Sequence, residues 1–379
     1  MSSRAPNPGR LGIAALFVRM ALVALWRAVT YPIRTDTAST LLKDAFFAGL
    51  RSVLHRITIP QSRYLSPSTR ETYFDFCKAK KIEPQTLKIE GKDGVGVVGY
   101  WIGSPNAEVV VLYLHGGGYT QSATPGYCHY WHCFAEESAS LKGAPPASTL
   151  LLGYSLAPEA KYPTQLQEAA AALLHLVNVC GKSPANIFVA GDSAGGHLAI
   201  TLLSHLLRPR SSIPEVTLSA PLRGLLLISP WVCFRTDYES FARNANKDMV
   251  EALMLRKWAA MYLDKSNADP ETDPGYVSGD AYSEPMSNDA DWWKGADRVV
   301  SDVFVWTGGN ECFADPVKAF EPVFKKGWSE GGGQVERVVF VETPGCAHIE
   351  PIMGVMMNPK QKSEDQQAVE SWLNARLVG

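Results

Sequence analysis

The chain has 379 residues, 46% of them hydrophobic, enough to bury a full core in one large α/β domain or in two domains; one domain is the preferred reading. A net charge of −2 and a pI near 6.5, with no Lys/Arg run interleaved with aromatics, exclude a broad cationic surface and a nucleic-acid partner. Seven cysteines (77, 128, 133, 180, 233, 312 and 346) are too sparse for the disulfide framework of a small secreted domain, and no Asn-x-Ser/Thr sequon occurs.

The N-terminus opens on an apolar segment. Residues 11–29 hold nine Leu, Ile, Phe and Val, worth roughly −3 to −5 kcal/mol for membrane insertion, while Arg19 near the centre costs about +2.5 to +3.5 kcal/mol. The near-zero sum fits a membrane anchor or interfacial helix, or a helix packed on the domain as part of a cap. A cleaved signal peptide fits poorly, because Arg19 interrupts the apolar run and no small-x-small site precedes Trp26-Arg27.

After helical patterns to about residue 80, strand-like runs recur at Leu87-Ile89, Val95-Ile102, Val109-Leu114, Thr149-Tyr154, Ile187-Ala190, Gly224-Ser229, Val303-Thr307 and Val335-Val341. From the third onward they alternate with helical patterns at about 125–138, 164–180, 194–207, 313–328 and 364–377. The alternation predicts an α/β fold with an eight-stranded, mostly parallel sheet covered by helices on both faces.

Two glycine-rich strings interrupt this alternation. His115-Gly116-Gly117-Gly118-Tyr119 follows the third strand, and its glycines leave backbone N–H groups free to face a developing oxyanion. Gly191-Asp192-Ser193-Ala194-Gly195-Gly196 lies between the fifth strand and a helix, a strand–turn–helix that strains the serine and exposes its hydroxyl. Ser193 is therefore the expected nucleophile. His115, at the strand end, is read as an orienting or packing residue.

The connection from Trp231 to Ser301 is far longer than an ordinary loop. It holds a helical pattern at Met249 to Leu263, and a stretch from Asp264 to Asp291 with eight acids and one lysine that reads as a solvated loop. Its Trp258, Met261, Tyr262, Trp292 and Trp293 either line a pocket for an apolar substrate or pack within the insertion itself.

A serine hydroxyl needs a base, and the base needs an acid; in sheets of this kind the chain order is Ser, Asp or Glu, His. Beyond the helix that follows Ser193, whose pattern carries His197 and His205, one histidine remains, His348, in a loop past the last strand. Two carboxylates, Glu311 and Asp315, follow the seventh strand. Glu311 lies closer to the strand end and is the expected acid, with Asp315 the alternative; the loser would serve as a helix N-terminal charge.

With these strings in place, the chain from about residue 85 to the C-terminus resembles the hormone-sensitive-lipase branch of the α/β-hydrolases, which carries H-G-G-G, Y-R-L-A-P-E and G-D-S-A-G-G. The middle string reads Tyr154-Ser155-Leu156-Ala157-Pro158-Glu159, with serine where arginine is usual. The resemblance implies an oxyanion hole formed by the N–H groups of Gly117, Gly118 and Ala194, and a helical cap. The branch places its acid at the first Asp of D-P-L-x-D; Glu311 and Asp315 keep that spacing, with Glu for Asp and Cys312 for Pro.

The domain organisation expected is an apolar N-terminal segment at 1–35, membrane-associated or a cap helix, then a hydrolase domain at 36–379 with cap elements at about 36–80 and 232–300. The apolar segment resembles the membrane-anchored deacetylases of the branch, which implies a cytoplasmic or endoplasmic-reticulum membrane-associated setting. Cys128-His129-Tyr130-Trp131-His132-Cys133 has metal-ligand residue types, but on a helix its two i,i+4 pairs lie about 100° apart and do not converge on one ion. A disulfide between Cys312 and Cys346 would pin the two loops of the acid and base, though sequence does not fix their separation.

The expected function is serine carboxylesterase chemistry on a small hydrophobic ester, such as an acetylated sterol or secondary metabolite, through an acyl-enzyme and without metal or organic cofactor. Two alternatives are an amide or formamide hydrolase of the kynurenine formamidase type, and a non-catalytic small-molecule binder on the same fold. His348 argues against the binder, whose relatives lack that histidine.

Overall fold

A computed structural model describes residues 8–90, 96–265, 273–357 and 361–378. The chain begins with four helices, α1 (Arg10–Thr30), α2 (Leu41–Leu54), α3 (Ile59–Leu65) and α4 (Thr69–Lys80). Thr58 with Gln61 and Ser68 with Glu71 form capping boxes that satisfy the first free N–H groups of α3 and α4. β1 (Thr86–Ile89), β2 (Val97–Ile102) and β3 (Val109–Leu114) follow, then α5 (Pro125–Ser140), β4 (Ala147–Leu152), α6 (Thr164–Asn178), β5 (Ile187–Asp192), α7 (Ser193–Leu207) and β6 (Gly224–Ile228). The long connection contains α8 (Glu239–Arg243) and α9 (Ala252–Tyr262), and the chain closes with β7 (Val303–Gly308), α10 (Ala314–Glu330), β8 (Val338–Thr343), α11 (Glu350–Met357) and α12 (Glu364–Val378).

The eight strands form one sheet in the order β1-β2-β4-β3-β5-β6-β7-β8. β1, β2 and β4 pair antiparallel, and β4 through β8 pair parallel. β3, β4, β5, β6 and β7 are buried along their whole length, as their unbroken apolar runs require when helices cover both faces. α5, α11 and α12 pack with one another against the sheet, while α6 and α7 pack together elsewhere on it.

β4 and β8 depart furthest from the sequence reading. β4 begins at Ala147 rather than Thr149, because Ala147 and Ser148 pair with Val109 and Val110 of β3. It ends before Gly153, where a Cβ would sit 2.7 Å from the Tyr100 ring. β8 begins at Val338 rather than Val335, because residues 335–337 form a 3₁₀ turn and Val303 pairs first with Val338.

α1 has two apolar faces. Ile13, Leu16, Met20, Val23, Ala24 and Arg27 recur at helical spacing and face inward; Gly49 of α2 admits Met20 and Ala24 to van der Waals contact. Arg27 is buried at the far end, with its Nε donating to Asp44 Oδ2 of α2 at 2.8 Å and Nη2 to the Asn246 carbonyl of the long connection at 2.8 Å. The opposite face leaves Leu11, Phe17, Leu22, Leu25, Trp26 and Val29 exposed. The sequence reading weighed Arg19, which is exposed, whereas Arg27 is the arginine that fixes the helix in place.

The remaining cysteine and metal expectations resolve by placement. All seven cysteines are free, including Cys312 and Cys346. His129 and His132 of α5 flank the Phe76 ring of α4 edge-on, at 5.3 and 5.4 Å between centroids, a packing arrangement rather than a ligand set.

Candidate active site

The sheet delivers the expected site residues to the C-terminal ends of its parallel strands, where open α/β sheets bind ligands. β3 leads into His115, β5 into Ser193, β7 into the turn carrying Glu311, and β8 into the loop carrying His348.

Ser193 opens α7 with φ +51°, a left-handed backbone that costs a non-glycine residue energy and is held by its surroundings. Those surroundings leave no room for side chains on either flank. A Cβ at Gly191 would lie 2.3 Å from the Gly195 carbonyl oxygen, and one at Gly195 would lie 1.9 Å from that of Leu114. Ala194 stands in the first turn of α7, where a helix leaves its N–H groups without intrahelical partners.

Gly117 and Gly118 have φ of +112° and +57°. Among the described residues neither of their N–H groups has a hydrogen-bond partner, while the Gly117 carbonyl accepts from Thr120 and Gln121. Trp258 of α9 lies against this string, since a Cβ at Gly118 would meet its ring at 2.0 Å.

Asp192 ties the two strings together, a role the sequence reading did not assign. Its Oδ1 accepts from the Gly116 N–H at 2.7 Å and from the Tyr113 hydroxyl at 2.6 Å, and its Oδ2 from the Tyr127 hydroxyl at 2.8 Å. Burial pushes its carboxyl up to about 6 against the lowering effect of these bonds. The residue was visible inside the motif, but its partners lie some 65 to 79 positions away and only the fold brings them in.

Glu311 and His348 meet at 2.7 Å, with the imidazole Nδ1 against Oε2, and both side chains are buried. The other carboxylate oxygen accepts from the Thr307 hydroxyl and from the Gly308 N–H at 3.0 Å. With Nδ1–H donating to Glu311, the Nε2 of His348 is left as the acceptor nitrogen, the form a general base requires. Burial lowers the histidine pKa most, yet the bond and charge of Glu311, with Asp248 and Asp192 beyond, outweigh it and leave the pKa raised.

The two loops meet closely. Gly309 N–H donates to Thr343 and Asn310 N–H to Cys346, at 2.9 and 2.8 Å, and a Cβ at Gly308 would fall 2.3 Å from the Cys346 carbonyl oxygen. The residues after β6 touch both other sides of the site. Trp231 N–H donates to the Ser193 carbonyl at 3.1 Å, and Ser229 Oγ accepts from the Ile349 N–H at 3.1 Å.

Asp315 is elsewhere. It occupies the first turn of α10, where it accepts from the Ser240 N–H at 2.7 Å and from Arg243 at 2.6 Å. His115 stacks on Tyr154 at 4.4 Å, and its Nδ1 lies 2.7 Å from the Gly116 carbonyl. Burial pushes its pKa down to about 4, so the ring is neutral at physiological pH.

The five aromatic and methionine candidates of the insertion divide. Trp258 and Met261 line a cavity of about 290 Å³ between α9 and the α2–α3 corner, together with Leu54, Ile59 and Met254. Ser193 and His348 are not among its lining residues; Trp258, which lies against Gly118, stands between the cavity and the glycine string. Tyr262 stacks on Tyr119 at 3.9 Å, Trp293 packs on Phe320 and Phe324 of α10, and Trp292 packs between Tyr282 and Arg208. These three therefore do not line it, because partners distant in sequence claim their rings.

A mostly parallel sheet with a strained serine at the β5–α7 turn, and a carboxylate–histidine pair beyond β7 and β8, defines the class of α/β-hydrolases. The family model for the alpha/beta hydrolase fold matches residues 111–349, and the chain belongs to that family.

Among curated relatives, the Mycobacterium tuberculosis protein LipR, named as an acetyl-hydrolase, is 28% identical over 242 residues, covering 61% of this chain and 73% of the relative. An acetyl-hydrolase of Streptomyces hygroscopicus is 27% identical over 240 residues, 63% of this chain and 67% of the relative. Among solved structures, a variant of the esterase rPPE aligns with a TM-score of 0.64 at 18% identity, covering 91% of this chain and 99% of the other. At that identity the likeness speaks for the fold.

Proposed function

We propose that the protein is a serine-dependent carboxylic ester hydrolase, with Ser193 as nucleophile, His348 as general base and acid, and Glu311 as the acid that orients His348. The observation that carries this reading is the buried Glu311–His348 hydrogen bond at the C-terminal end of a sheet whose β5 is followed directly by a strained serine. His348 takes the Ser193 proton as the oxygen attacks the ester carbonyl, and the N–H groups of Gly117, Gly118 and Ala194 hold the tetrahedral oxyanion. His348 then returns the proton to the leaving alcohol, and water repeats the cycle on the acyl-enzyme. The relatives named as acetyl-hydrolases support an acetyl or other short acyl group. A hydrophobic alcohol fits the Trp258, Met254 and Met261 side chains of this cavity, which His55, Arg56 and Lys257 also line.

Purified protein assayed on p-nitrophenyl esters from acetate to palmitate tests the reading. Turnover of the short esters, abolished by an organophosphate, is the expected result; inactivity across the series sinks it and favours a non-catalytic binder.

α1 to α4 and the connection between β6 and β7 act as the cap in this reading. The outer face of α1 rests on a membrane surface, with the helix lying in the interface while Arg27 holds it to Asp44 and Asn246. The helix is long and apolar enough to cross a membrane by composition, but its inner face is already occupied by α2. Phosphatidylcholine vesicles should therefore carry the full chain upward in a flotation gradient. Replacing Leu22, Leu25 and Trp26 together by glutamate should abolish flotation and leave ester turnover within about threefold, since these side chains are exposed. A wild-type chain that stays at the bottom of the gradient contradicts the membrane part of this reading.

A further inference from the structure

Asp248 is fully buried, lies in the connection between β6 and β7, and has no part in the chemistry described above. Its Oδ2 accepts from the N–H of Cys312, the residue after Glu311, at 2.8 Å. Its Oδ1 accepts from the Met249 N–H at 2.6 Å, and its carbonyl accepts from Arg51 of α2. Three neighbours grip the same turn. Asn244 Nδ2 donates to the Gly309 and Glu311 carbonyls at 3.0 and 2.9 Å, Ser240 Oγ to the Cys312 carbonyl at 2.6 Å, and the Cys312 thiol to the Val250 carbonyl at 3.4 Å. The turn that presents Glu311 is thus held by the insertion as well as by β7 and β8.

Asp248 differs from Asn244 and Ser240 in carrying a charge. That charge acts on both His348 and Glu311. The ionisable groups around it are His348 from the β8 loop, Glu311 and the Cys312 thiol from the β7 turn, and Arg51 from α2, which also faces Glu251 and Asp44. His348 in turn faces Glu311, Asp248 and Asp192. A buried carboxylate whose oxygens accept only from N–H groups is incompletely compensated in the resting site, even with the Arg51 charge on its carbonyl side. It is best compensated when a positive charge forms nearby, and the only such charge the reaction creates is the His348 imidazolium.

We propose that Asp248 is a positioning residue for the hydrolysis: it fixes the Glu311 turn through the Cys312 N–H and supplies a second negative charge to the His348 imidazolium. The insertion would then set both the place of the acid and the basicity of the base. Burial pushes the Asp248 carboxyl up to about 6, with Glu311 adding to the rise and His348 opposing it, so the group is mostly ionised at neutral pH. The inference rests on the roles given above to Ser193, Glu311 and His348.

The test is the pH profile of kcat/KM for p-nitrophenyl acetate in Asp248→Asn, with wild type, Asn244→Ala and Ser193→Ala in parallel. Removing a negative charge beside His348 makes its protonation less favourable, so the midpoint of the acid limb falls, by about half a pH unit or more. The plateau falls by about 10- to 100-fold, because the imidazolium of the transition state loses a partner. Asn244→Ala loosens the same turn without changing charge and should lower the plateau while leaving the midpoint in place. Asp248→Ser, also neutral and smaller, supplies the same readout if the amide prevents folding. An active Ser193→Ala variant would overturn the underlying roles and this proposal with them. An inactive Ser193→Ala together with an unmoved midpoint in the neutral Asp248 variants would overturn this proposal alone.

Discussion

Replacing Ser193 by alanine should lower ester turnover by about 10⁴- to 10⁶-fold while leaving the melting temperature close to that of the wild type. The size of the loss follows from the division of labour in the site. Without Ser193 Oγ no acyl-enzyme forms, and His348 and the Gly117, Gly118 and Ala194 N–H groups are left to assist attack by water. The fold should tolerate the change, because alanine adds no atom to the tight turn between Gly191 and Gly195 and, among the described residues, the hydroxyl makes no bond that holds the sheet. Activity within tenfold of the wild type would remove Ser193 from the mechanism.

Glu311→Gln should lower kcat by about 10³- to 10⁴-fold, with little change in KM. The carboxylate uses both oxygens, one toward His348 Nδ1 and the other toward Thr307 and Gly308. An amide cannot satisfy both sides. If its NH₂ faces His348, Nδ1 becomes an acceptor and Nε2 carries the proton, which is the wrong tautomer for a base. If its NH₂ faces Gly308 instead, two N–H groups oppose each other in a buried site. In either case the imidazolium loses its countercharge. Asp315→Asn breaks a partly exposed pair with Arg243 and a bond to Ser240, and should cost less than about tenfold in kcat. A larger loss at Asp315 than at Glu311 would transfer the acid's role to Asp315.

The parts of the fold legible in the sequence are those whose signal is local. β3 matches the apolar run Val109-Leu114 end to end because both faces of that strand are buried, so nothing polar blurs its limits. The β5–α7 turn was readable because the steric demand of a strained serine falls on residues two positions away, Gly191 and Gly195. β8 was less legible because it is an edge strand, with only Val338 fully buried, and its pattern merges into the preceding 3₁₀ turn.

The site residues that escaped the sequence reading are defined by distant partners. Asp248 closes a polar run, Asn246-Lys247-Asp248, that gives no hint of burial; the Cys312 N–H it serves is 64 positions away. The fates of Trp258 and Trp293 could not be separated in sequence, since both are tryptophans of one insertion. One lies on Gly118, and the other is enclosed by Phe320 and Phe324. Arg27 entered the sequence reading only beside Trp26, where no cleavage site precedes it, and its pairing with Asp44 of α2 explains why it is buried.

The central claim is that Ser193 is the nucleophile of an ester hydrolase, and covalent labelling tests it most directly. The protein is incubated with diethyl p-nitrophenyl phosphate, digested, and the modified peptide located by tandem mass spectrometry. The account predicts one diethylphosphoryl group, on Ser193, whose formation tracks the loss of p-nitrophenyl acetate turnover and is absent in Ser193→Ala. A label on any other residue, or full inactivation with Ser193 unmodified, would contradict it.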